Sequence, residues 1–173
     1  MDMKINHLIA PNWAIRASHL DGYLPSKNGA RFNNHIFGYH LAKVRDDPWF
    51  WTTKAIYLFT LVRENPLTYI NGNSDYWIPG ERYETDMGSV PVTAQVIVPK
   101  DRGLLSYLFH DYACLTGHLH KRDTYGVYHE VKLTRKQRDD MLLEMLAAEG
   151  VNKFQRYLVW YNVRLFGIVT GQG

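Results

Sequence analysis

The pair His110-Asp111 lies inside the run "LLSYLFHDYACL", where nearly every other side chain is apolar. A carboxylate taken out of water without a partner costs several kcal/mol, so Asp111 requires a donor or a cation. Three further polar positions bear on it. In "YETDMGSVPV", Asp86 and Ser89 sit at the junction between a strand-like run and a proline. In "RKQRDDMLLEMLAAE", Met141, Leu142, Met145 and Leu146 set an inward stripe. Asp139 falls at its edge, whereas Asp140 points away as a solvated charge.

Two kinds of chemistry suit this set. In the first, Asp86, His110, Asp111 and Asp139 ligate a divalent metal that activates water, with His110 and Asp111 as the catalytic pair and Ser89 and Arg164 in support. In the second, the same groups, with Arg135, form a buried network. Asp86 accepts from turn amides, Ser89 caps the turn, and Arg164 pairs with Asp111 or Asp139. The residues alone leave both open. In "GHLHKRD", His118, His120 and Asp123 offer a weaker metal pattern in what reads as a solvated loop. The basic "KLTRKQR" is followed by Asp139, Asp140 and Glu144 on the same helix, the pattern of a solvated face and not of a phosphate site. Neither a glycine-rich phosphate loop nor a serine elbow is present.

The elements that position these residues follow from periodicity. "AIYLFTLV", "LTYI", "DYWIPGERYETD" and "AQVIV" are β-branched and aromatic runs broken by Asn65-Pro66, Asn71-Gly72 and Pro79-Gly80, which predicts a small antiparallel sheet. "GLLSYLFHDYACLTG" is apolar nearly all round, as in a helix buried on several faces. Thr134 and Gln137 form a capping-box signature for a helix that stops at Gly150. Asn152 precedes a third helix in which Phe154, Leu158, Tyr161, Leu165 and Ile168 recur at helical spacing, and its tyrosines and tryptophan read as core packing. The expected class is α+β: a small antiparallel sheet against about three C-terminal helices. Residues 1–54, rich in Trp, Tyr, His and Asn, read as an irregular extension, and residues 55–173 as a single α+β domain.

Composition narrows the function classes. At 46% hydrophobic residues the chain can bury one ordinary core, and a net charge of +3 gives no strong nucleic-acid signal. The single cysteine, Cys114, excludes an internal disulfide and reads as a buried, inert thiol. The N-terminus lacks the pattern of a signal peptide and no run is long enough to span a bilayer, so a soluble cytoplasmic product is expected, a reading open to later assembly into a larger particle.

Five short motifs in order, "WIPG", "TDMGSVP", "HDY", "RKQRD" and "YNVRLFG", resemble the phage and prophage family known as domain of unknown function 1353. The matching residues are Asp86, Ser89, Pro91, His110, Asp111, Tyr112, Arg135, Asp139, Arg164 and Gly167. Arg138 departs from the pattern, standing where the family has a small residue. The resemblance covers residues 55 to 168 and implies two functional classes. One is a virion-associated tail, connector or assembly protein that binds other phage structural proteins, or itself, through the N-terminal extension. The other is a small metal-dependent hydrolase of a phosphoester or cell-wall bond. A His-Asp pair with a later helical Asp is also similar to the HD-domain phosphohydrolases, but those are all-helical and need a further upstream histidine.

Overall fold

The structure is a computed structural model and describes residues 29–33, 37–49, 52–87 and 103–169. Ser89, Pro91, the "AQVIV" run and residues 1–28 of the extension lie outside the described residues. Among the described residues there are eight strands: β1 (Arg31–Asn33), β2 (Tyr39–Trp49), β3 (Thr52–Leu61), β4 (Thr68–Ile70), β5 (Tyr76–Ile78), β6 (Arg82–Thr85), β7 (His118–Arg122) and β8 (Tyr128–Lys132). Three helices, α1 (Leu104–Thr116), α2 (Arg135–Ala148) and α3 (Lys153–Val169), complete the α+β fold.

The strands form two antiparallel sheets instead of one, in the orders β1-β4-β5-β7-β8 and β2-β3-β6. The break falls at Pro79-Gly80, between β5 and β6. Proline has no N–H to extend a ladder, so the chain leaves the first sheet there and enters the second. Gly80 serves the crossing in another way: a Cβ at this position would lie 2.3 Å from Cε2 of Tyr112. Only a glycine lets the backbone pass beneath that ring.

Residues 39–49, expected to be irregular, form the long strand β2, paired with β3 from Tyr39↔Leu61 to Trp49↔Thr52. Their alternation is hidden for two reasons. The outer part of this ribbon is solvated, carrying Lys43–Asp46, Arg45–Asp47 and Arg45–Glu84 ion pairs. In addition, a register shift between Lys43 and Arg45 breaks the two-residue period. The stretch expected to be a loop around His118 and His120 is likewise a hairpin, β7–β8. Asp123 builds its turn by accepting from the backbone N–H of Tyr125 and Val127, both at 2.9 Å.

α1 is central, packed on α2, β6 and β7. Its Leu104, Leu108 and Phe109 are essentially fully buried with Phe59, Tyr69 and Leu119 from the sheets. A second cluster, Tyr107, Leu142, Leu146, Val151 and Val159, joins the three helices. The capping box forms as expected, with Thr134 and Gln137 bonded reciprocally. The tyrosine-rich stripe of α3 is not core. Val159 faces the body, whereas Phe154 (76% exposed), Tyr161 (56%) and Ile168 (72%) face outward.

Candidate functional site

Three consecutive α1 residues, about 100° apart around the helix, reach three different elements. His110 Nε2 is 3.2 Å from Asp139 Oδ1 on α2. Asp111 Oδ2 accepts from the Thr85 hydroxyl at 2.6 Å, at the end of β6. Tyr112 covers Gly80, and its hydroxyl is hydrogen-bonded to His118 Nε2 on β7 at 3.0 Å. The "HDY" motif is thus a three-way tie between α1 and the layers around it.

The His110–Asp139 pair is buried, with Asp139 only 1% exposed. Burial pushes the imidazole pKa down, but hydrogen bonds to Asp139 and Cys114 outweigh it, leaving His110 raised to about 9. The pairing thus favours the protonated form of the ring. Asp139 Oδ2 accepts no hydrogen bond among the described residues and lies 3.8 Å from Nε of Arg135. The Arg135 guanidinium in turn donates to the Val163 carbonyl at 3.3 Å and fills the space at Gly167, where a Cβ would fall 0.9 Å from Nη2. The glycine of "YNVRLFG" is therefore the slot for the arginine of "RKQRD".

Cys114 is exposed, not buried, because α1 turns its last residues to solvent. Its Sγ lies 3.6 Å from Nε2 and 3.7 Å from Nδ1 of His110. The sulfur is thus shared between the two ring nitrogens and committed to neither.

The remaining expected residues are dispersed. Asp86 is held by Lys54 of β3 at 2.6 Å. Arg164 pairs with neither Asp111 nor Asp139; its Nη1 lies 3.9 Å from Asp140, and its guanidinium stacks 5.0 Å over the Trp160 ring. Asp140, expected to be a plain solvated charge, also receives Lys136 at 2.6 Å and Trp160 Nε1 at 3.3 Å. Asp123 is bonded to His129 at 2.7 Å, apart from His118, which faces Glu130 at 3.4 Å.

Two groups at the ends of α1 escape a reading by motif. Gly103 gives α1 no side-chain cap. Glu149, just past α2, supplies one by accepting from the N–H of Leu105 (3.1 Å) and Ser106 (2.8 Å) and from the Ser106 hydroxyl. Burial raises the Glu149 carboxyl, against the pull of those hydrogen bonds, to about 7. At the other end Arg138 Nη1 donates to the carbonyls of Ala113 (3.0 Å) and Cys114 (3.5 Å). One antiparallel neighbour thereby places an acid at the N-terminus of α1 and a base at its C-terminus, both favourable to the helix dipole.

A divalent metal needs neutral imidazole and carboxylate oxygens converging on one point. His110 turns to Asp139, Asp86 is held by the Lys54 ammonium, and Asp111 turns to Thr85. Among the described residues no three His, Cys, Asp or Glu side chains are placed to hold a metal ion. The expected set does not fit one.

Two surfaces stand out among the described residues. A groove of about 370 Å³ between Arg63, Ile78, Pro79, Glu81, His120 and Tyr128 is spanned by the Arg63–Glu81 ion pair at 2.6 Å. The larger feature is the outer face of α3, where Lys153, Phe154, Tyr157, Leu158 and Tyr161 border an open hollow of about 580 Å³.

Fold and site together define an α+β protein whose central helix is tied on all sides by polar pairs and whose last helix is apolar on its outer face. The chain belongs to the family described as protein of unknown function (DUF1353), whose model matches residues 61–163. No curated protein and no solved structure matches it. Among the described residues no helix is long and apolar enough to cross a membrane.

Proposed function

We propose that this chain is a structural or binding component of a bacteriophage-type particle, a tail, connector or assembly protein that docks through α3. The observation that carries the reading is the outer face of α3, five large apolar side chains between Phe154 and Ile168 that are 42–76% exposed. A stripe of this kind along a whole helix is the mark of a protein contact. The pairing of His110, Asp111, Asp139 and Asp86 within the fold supports the same reading, since each of these four already has a structural partner. The phage setting rests on the family resemblance.

The test is complementation of a phage or prophage that lacks the gene, using a Phe154→Glu/Tyr161→Glu chain with unchanged circular dichroism. Loss of infectious particles is expected. Full particle yield from this variant would overturn the proposal, as would hydrolysis of a phosphoester or peptidoglycan by the purified protein that disappears in His110→Gln.

A further inference from the structure

We infer that the occupant of the α3 face is α3 of a second copy, packed antiparallel about a two-fold axis at Tyr161. The inference rests on the reading of this face as a docking surface and names its partner.

The spacing selects a helix as the partner. Phe154, Tyr161 and Ile168 are seven residues apart, with Tyr157 and Leu165 between them, all within about 100° of the helix circumference. This is the seam that two helices of equal period share at a shallow crossing angle. Because Tyr161 is the midpoint, a two-fold axis there sets Phe154 of each copy against Ile168 of the other, an isologous and self-complementary contact.

The area suits a second copy as well. Each aromatic side chain carries roughly 150–250 Å², so the exposed parts of the stripe present on the order of 500 Å². With flanking Leu158 and the stems of Lys153 and Arg164, the face approaches the roughly 800 Å² per partner of a standard interface.

Charge chooses the antiparallel direction. α3 begins with the exposed Lys153, a cation at the positive end of its own dipole, and has no acidic residue in its first turn to offset it. An antiparallel partner brings the ammonium of Lys153 to the last carbonyls of the other helix and opposes the two dipoles. A parallel partner would set Lys153 against Lys153.

Sedimentation equilibrium of the full chain at tens of micromolar is expected to give twice the chain mass, and a Tyr161→Glu variant the single mass. Geometry is read by disulfide formation in a Cys114→Ser background. Tyr161→Cys is expected to link to itself. Phe154→Cys is expected to link only when mixed with an Ile168→Cys chain. A monomeric wild type without cross-links overturns the inference, and self-linking of Phe154→Cys overturns the antiparallel geometry. These failures are separable from failure of the docking role. A monomer whose Tyr161→Glu variant still cannot support particles leaves that role standing with a different partner. A dimer whose Tyr161→Glu variant supports particles removes the role and keeps the dimer.

Discussion

Glu149, one residue past the end of α2, caps the N-terminus of α1 by accepting from the backbone N–H groups of Leu105 and Ser106 at 3.1 and 2.8 Å. The carboxylate is buried, so the cap satisfies two orphan donors while holding its own proton more tightly than in the unfolded chain.

The direction of its pH dependence follows. With the carboxyl raised from 4.5 to about 7, the folded state binds more protons than the unfolded state in that window. Stability should therefore fall as pH rises from about 4.5 through 7. Glu149→Gln is expected to flatten that fall in urea melts taken across the window. Glu149→Ala should cost about 1–3 kcal/mol by leaving buried donors unsatisfied.

His110 extends the trend upward. Its imidazole, raised from 6.5 to about 9, gives stability that is complete below 6.5 and is lost as pH rises through 9. Asp139→Asn should remove this second decline, and His110→Ala should cost about 1–3 kcal/mol by leaving the buried Asp139 Oδ1 without its donor. Urea melts at pH 6 and pH 9.5 read both effects.

Gly167→Ala should place a methyl group in the space taken by the Arg135 guanidinium and cost about 1–3 kcal/mol. Combining it with Arg135→Ala tests the cause. If the two side chains compete for one slot, the double variant loses less than the sum of the singles, and a double-mutant cycle of melting free energies measures the difference.

Gly80→Ala should collide with the Tyr112 ring and destabilise by a similar ~1–3 kcal/mol. Tyr112→Leu should relieve part of this, again read as coupling between the two sites in thermal melts.

What the sequence discloses divides along physical lines. The three helices, the Thr134–Gln137 capping box and the stop at Gly150 were legible because their signals are local. So was the burial of Asp139 against Asp140, since the stripe of Met141, Leu142 and Met145 sets the helix face. The caps of α1 were not legible: Glu149 lies 43 residues from Ser106 and Arg138 25 from Ala113, and no local pattern joins them. The one available signal was negative, an apolar helix opening after Gly103 without Ser, Thr, Asp or Asn to cap it. β2 was hidden by its solvated, bulged ribbon. On α3 periodicity located the apolar stripe correctly, but a helix with two apolar faces does not disclose which one its own domain covers.

His110, the most chemically suggestive residue of the family's motifs, ties α1 to α2 through Asp139, a contact that favours its protonated ring. A proton NMR titration of the His110 ring in the full-length protein tests it most directly. A ring that stays protonated through pH 7, with a midpoint near 9 and no response to zinc, manganese or magnesium, is the predicted result. A midpoint at or below 6.5, or a stoichiometric shift on adding any of these metals, would contradict the account and return His110 to the role of a base or a ligand.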